Sequence, residues 1–117
     1  MESLAAHLCR RCQLSPNELG LRAGTPLQFD NDCFNLLVQE FRLTLHIIHI
    51  NAYRQGDGYG RAVVEAVMDY GRATGRMVVV TNPLDTAVSF WQHLGFVEHP
   101  HNPDHMIPEG YAALLAA

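Results

Sequence analysis

The sequence predicts one α/β domain organised around a strand, helix, strand unit, and three observations carry that expectation. The run Leu43-Thr44-Leu45-His46-Ile47-Ile48-His49-Ile50 has the apolar alternation of a strand. The glycine-rich turn Gln55-Gly56-Asp57-Gly58-Tyr59-Gly60 opens a helix that Gly75 closes. Met77-Val78-Val79-Val80-Thr81 follows as a short, β-branched, buried strand. Two strands joined through a helix lie parallel, so these two should be neighbours in one sheet.

The elements fall in three stretches of one domain over residues 1–117. In residues 1–26, Leu4, Ala5, Leu8 and Cys12 recur at helical spacing up to about Gln13. Ser15-Pro16-Asn17-Glu18 then has the form of a capping box with proline at the first helical position. Residues 27–96 hold the sheet and its helices. Asp30-Asn31-Asp32 reads as a hairpin turn between Leu27-Gln28-Phe29 and the strand Cys33 to Val38. In the strand from Leu43, the residues Leu43, Leu45 and Ile47 share one face, while Ile48 and Ile50 face the other, which places it at the centre of the sheet. On the helix from Gly58 to Gly75, Val63, Val67 and Tyr70 form the inner stripe, and Arg61, Glu65, Asp69, Arg72 and Arg76 form a solvated one. Asn82-Pro83 has the form of an N-cap and first helical residue, with Ala87, Phe90, Trp91 and Leu94 repeating on a second helix up to Gly95. In residues 97–117, Phe96-Val97-Glu98 can finish a strand, and His99 to Pro108, with three prolines, reads as loop.

Composition narrows the function. Twelve acidic against eight basic residues give a formal charge of −4, which argues against a nucleic-acid partner held through its phosphate backbone. The apolar runs are too short to span a bilayer, and the N-terminus lacks a signal-peptide pattern, so no membrane partner and a cytoplasmic location are expected. Three cysteines then read as reduced thiols.

The glycine turn carries the chemistry. Gly56, Gly58 and Gly60 leave backbone N–H groups unobstructed where a helix N-terminus adds partial positive charge, which is a cradle for a pyrophosphate. A dinucleotide fingerprint would place its third glycine one residue later, and a triphosphatase loop would end in Gly-Lys-Ser/Thr, which is absent.

With these residues in hand, the chain resembles the GNAT acetyltransferase superfamily. That family's signature, Arg/Gln-x-x-Gly-x-Gly/Ala between its fourth strand and third helix, is matched by Gln55 to Gly60, and its aromatic helix ending in Leu-Gly-Phe is matched by Ala87 to Phe96. The resemblance covers about Leu43 to Phe96. It implies a mixed, mostly antiparallel sheet with a central βαβ cofactor-binding unit flanked by helices. It also implies acetyl-CoA as co-substrate, no metal, and an amine acceptor on a small molecule or protein. Carried onto this chain, His49, Ile50 and Asn51 line the pantetheine arm, and Gln55, Gly56, Asp57, Gly58, Tyr59, Gly60 and Arg61 hold the pyrophosphate. Asn82 lies near the cofactor, as do Phe90 and Trp91 of the aromatic helix. A neutral amine attacks the thioester directly, and a backbone N–H near Ile50 stabilises the oxyanion.

Two departures qualify the transfer. Trp91 stands where many members carry a tyrosine that protonates the leaving thiolate, and an indole cannot do so at neutral pH. The region before the central strand is also shorter than usual, which leaves the acceptor site undefined and makes a homodimer a reasonable completion of the sheet. For the base, His46, His49 and Glu40 are the candidates from the strands; Tyr53 and Tyr59 flank the turn, and Ser89 reads as a helical surface residue. Other motifs are set aside. Cys9-Arg10-Arg11-Cys12 has metal or redox spacing but sits inside an apolar-periodic helix, and Pro100 and Pro103 break up His99, His101, Asp104 and His105. A faint helix-turn-helix from Leu14 to Phe34 puts two aspartates and no basic side chain on the would-be recognition segment. The expected function is therefore an N-acetyltransferase. Its rival is a catalytically silent acyl-CoA-binding or protein-interaction module of the same fold, which Trp91 favours.

Overall fold

The computed structural model describes residues 2–54 and 56–117, so Gln55 of the signature lies outside the described residues. In chain order the elements are α1 (Leu4–Cys12), a 3-10 turn (Pro16–Glu18), β1 (Leu21–Arg22), β2 (Leu27–Asp30), β3 (Phe34–Glu40) and β4 (Thr44–Ala52). They continue with α2 (Tyr59–Thr74), β5 (Met77–Thr81), a second 3-10 turn (Asp85–Ala87), α3 (Val88–His93), β6 (Phe96–His99), β7 (Asn102–Pro108) and α4 (Glu109–Ala116). The seven strands form one sheet in the order β1-β2-β3-β4-β5-β7-β6. Among the described residues β4–β5 is the one parallel pair, and it is the pair that α2 connects. The mixed, mostly antiparallel sheet with a central βαβ unit is the expected fold class.

Local chemistry sets the ends of the elements. Ser3 caps α1 by accepting from the Ala6 N–H at 3.1 Å. Ser15 and Glu18 complete the expected capping box. Gly75 ends α2 in the left-handed conformation, φ 69°, with its N–H donating to the Arg72 carbonyl. The Asn31 side-chain oxygen accepts from the N–H groups of Cys33 and Phe34, which makes the β2–β3 turn.

One face of the sheet packs under α1 and α2. Phe29, Phe34, Leu36, Leu45 and Ile47 meet Leu4 and Leu8 of α1 and Val63, Val64 and Val67 of α2 in one buried cluster. Cys12 belongs to it, and burial pushes its thiol up to about 11, so it is an inert apolar filler and not a redox centre. A smaller cluster of Val79, Ile107 and Ala112 sits under α4 on the opposite face.

Several expectations need correction. Leu43 is 67% exposed and precedes β4, so it does not share the buried face of Leu45 and Ile47. The segment from His99 to Pro108 is not a loop: β6 and β7 form a hairpin in which Val97 opposes Ile107 and Glu98 opposes Met106, and α4 follows. Its prolines are accommodated because Pro103 and Pro108 lie at the two ends of β7, and Pro100 in the turn. Asn82-Pro83 does not cap a helix. Asn82 takes a left-handed φ of 48° and donates its N–H to the Asp104 carbonyl at 2.7 Å, and α3 begins only at Val88. The polar stripe on α2 is not simply solvated, because Arg11 of α1 reaches Asp69 at 2.7 Å and Glu65 at 3.4 Å, latching the two helices together.

The largest departure lies in β4. Leu37 opposes His49 and Val38 opposes Ile47, so Ile48 is an extra residue, a β-bulge. Strict alternation would put His46 and His49 on opposite faces. The bulge instead returns Ile50 to the core side, opposite buried Leu36, and leaves His46 and His49 together on the other side, opposite Gln39 and Leu37.

Candidate active site

The site is made where two strands part. β4 and β5 pair from Thr44 and Met77 as far as Ile47 and Val80, and there the pairing stops although β4 runs on to Ala52. Beyond Val80, β5 turns to β7. The separation opens a cavity of 620 Å³ bounded by Ile47 to Ala52 of β4 on one side and Val80 to Leu84 on the other. Gly56, Gly58, Gly60 and Arg61 form one end of its wall, and Phe90 and Trp91 of α3 form its floor.

The glycine turn has the geometry an anion needs. Gly56 and Gly58 adopt φ of 91° and 77°, a region that disfavours most side chains, and a Cβ on either would meet nothing within 4 Å. The space beside them is open. Gly58 is the N-cap of α2 and supplies no side-chain cap, so the first-turn N–H groups of Tyr59, Gly60 and Arg61 have no acceptor from that position. At Gly60 a Cβ would lie 3.4 Å from the Phe90 ring and 3.8 Å from the Ala52 Cβ, which is ordinary contact distance. The start of α2 therefore lies close to both α3 and the end of β4.

The cavity brings together most of the expected residues. His49, Ile50, Asn51, Gly56, Gly58, Tyr59, Gly60, Arg61, Asn82, Phe90 and Trp91 all border it. Asp57 does not; it lines a separate, smaller recess with Arg11 and Gln13. His46 is also outside the wall. Its two ring nitrogens lie 3.1 Å from the hydroxyls of Thr81 and Thr44, and its ring packs edge-on against Phe41 and His105. Glu40 accepts from the Tyr70 hydroxyl and pairs with Arg76 at 3.6 Å, and Tyr53 donates to Asp30 at 3.0 Å. The Ser89 carbonyl lies 2.7 Å from a ring nitrogen of His93. The wall residues to which no motif in the sequence pointed include Ile48, Arg54, Thr81, Leu84 and Thr86. No residue-type pattern marks them, because the parting of the strands selects them.

Proton chemistry is sparse here. Trp91 is 2% exposed and packs edge-on against Phe90 and Phe96. The Cys33 thiol beside the Tyr59 hydroxyl holds that phenol above the ordinary tyrosine value. His49 is therefore the one imidazole on the wall among the described residues. No set of three or more His, Cys, Asp or Glu side chains among them is placed to hold a metal ion.

Burial, and then the charge of His105, holds His46 below the ordinary histidine value of 6.5. The unfolded chain therefore binds the extra proton first, and this contribution to stability is present above 6.5 and falls as pH drops from there toward the folded value. The midpoint of thermal unfolding should fall more steeply from pH 7.5 to 5.5 in the parent than in His46→Gln. Equal slopes would show that His46 does not couple to folding.

The fold and this cavity define a class of α/β proteins in which an open glycine turn at a helix N-terminus adjoins a gap between parallel strands. Residues 23–96, more than half of the chain, match the model of the acetyltransferase (GNAT) family, and the chain belongs to that family. No curated protein matches it in sequence. Among solved structures it is similar to the anti-CRISPR protein AcrVA5, with a TM-score of 0.60 at 14% identity over 72% of this chain and 98% of that one. It is also similar to AtaTR bound with AcCoA, with a TM-score of 0.53 at 18% identity over 79% of this chain and 70% of that one. AtaT complexed with acetyl-methionyl-tRNAfMet gives a TM-score of 0.53 at 17% identity over 97% and 84%. No helix among the described residues is long and apolar enough to cross a membrane.

Proposed function

We propose that the protein is an acetyl-CoA-dependent N-acetyltransferase, and the observation that carries this is the continuity of the glycine turn with the gap between β4 and β5. The pyrophosphate would sit on the open side of Gly56 and Gly58, against the first turn of α2. The pantetheine arm would follow the edge of β4 along His49, Ile50 and Asn51, where β5 no longer supplies a partner strand. An extended amide-bearing chain satisfies such an edge as another strand would. The thioester then lies at the bulge. The amine nitrogen attacks the acetyl carbonyl, a backbone N–H near Ile50 steadies the oxyanion, the C–S bond breaks and the thiolate takes up a proton. His49, which borders the cavity, would accept the ammonium proton, directly or through water.

A neighbour holding an acetylated aminoacyl-tRNA means that an amine carried by nucleic acid belongs in the acceptor panel, despite the net charge of −4. The lack of a free phenol on the wall supports a second reading, in which the fold binds an acyl-CoA without transferring it.

One titration and one assay decide between these. Trp91 is the single tryptophan and borders the cavity, so its fluorescence reports filling of the gap. Acetyl-CoA should change that fluorescence saturably, with calorimetry giving the same affinity, and thiol release should rise when amines are added. No binding excludes both readings. Binding with no release on any amine selects the silent module.

A further inference from the structure

Two of the large apolar side chains left in solvent contact lie on the wall of this cavity. Ile48, the bulged residue of β4, is 38% exposed, and Leu84, just after β5, is 69% exposed. Ile48 stands on β4 and Leu84 just past the end of β5, one on each side of the gap, with Pro83 beside Leu84. A single exposed leucine means little, but paired apolar lips on a cofactor-sized cavity mark where a ligand is covered.

The charge inventory of the wall points the same way. Its charged side chains among the described residues are Arg54 and Arg61, and no aspartate or glutamate borders it. Asp57 and Asp85 adjoin wall residues in sequence but do not contribute to it. An acceptor with several ammonium groups would have to lose water from charges that find no carboxylate on this wall. An acceptor with one amine on an apolar body meets no such penalty. Apolar lips also disfavour the charged form of that amine, delivering more of the neutral nucleophile to a wall that offers one imidazole as base.

We propose that the acceptor is an apolar monoamine, a primary amine on a hydrophobic group with no second positive charge, seated against Ile48 and Leu84. This rests on the acetyltransferase reading above. The test uses the full chain with saturating acetyl-CoA and compares phenethylamine and leucinamide with spermidine and a multiply charged aminosugar. The apolar monoamines should exceed the polycations in kcat/KM by about tenfold or more. In Ile48→Thr and Leu84→Ser, KM for phenethylamine should rise by about tenfold at most and about threefold at least, and in Leu84→Ser, away from the bulge that holds the thioester, acetyl-CoA affinity measured on Trp91 stays within about twofold.

Spermidine turned over as well as phenethylamine would overturn the proposal. So would a parent that binds acetyl-CoA but acetylates neither class, or a Leu84→Ser protein that folds and loses acetyl-CoA affinity, since the lip would then belong to the cofactor. A parent that fails to bind acetyl-CoA at all overturns the underlying acetyltransferase reading instead, which the titration reveals before any amine is added.

Discussion

Gly58→Asp is expected to weaken acetyl-CoA binding by about 100-fold, while Gly58→Asn changes it by only a few-fold. The position is suited to this comparison. A Cβ at Gly58 meets nothing within 4 Å, and aspartate and asparagine are the side chains that best tolerate its φ of 77°. Both variants should therefore fold, and they differ from each other by one charge. Two unit charges ~4 Å apart repel by about 4 kcal/mol at an effective dielectric of ~20, or roughly three decades in affinity. Solvent at the open turn screens part of this, which leaves roughly two decades. Equal affinity in the aspartate and asparagine proteins, by calorimetry, would remove the pyrophosphate from this turn.

Gly20→Ala should cost about 3 kcal/mol of folding stability and lower the melting temperature by roughly 10 °C or more. Gly20 has φ of 63°, and a Cβ there would lie 1.8 Å from the Asp30 carbonyl oxygen, far inside any contact distance. That carbonyl cannot move freely. Asp30 donates its N–H to the Gly20 carbonyl at 3.1 Å, and its neighbour Phe29 is fully buried. Relief of the overlap must either unpair β1 from β2, where Leu21 opposes Phe29, or shift Phe29 in the core. Left-handed strain at alanine accounts for only about 1 kcal/mol, so the contact supplies the larger part. Differential scanning calorimetry of the two proteins measures it, and a melting temperature within about 2 °C of the parent would show that the β1 segment does not hold this conformation.

Much of the fold can be read along the chain because its signals are local. The Ser15 and Glu18 box, Asn31 in its hairpin turn and Gly75 behind α2 each act through atoms a few residues away. The same holds for the strand, turn, helix order around Gly56 to Gly60, which locates the glycine turn at the start of α2 without reference to the rest of the molecule. The C-terminal hairpin was illegible for the opposite reason. Asn102 to Pro108 carries few β-forming residues, and its strand character comes from being paired on both sides, with β6 just before it and with β5, from which α3 and β6 separate it along the chain.

The candidate site divides along the same line. The sequence by itself determined the open glycine turn, the helix behind it and the aromatic side of the cavity at Phe90 and Trp91, because glycine placement and helical periodicity are properties of short segments. Only the tertiary structure decided where the cavity opens and which side chains border it. The extra residue at Ile48 reverses the facing of His49 relative to His46, and the loss of β5 as a partner after Ile47 frees the edge of β4. A bulge and the end of a strand pairing are settled by two chains meeting in space, and no single stretch of sequence contains both of them.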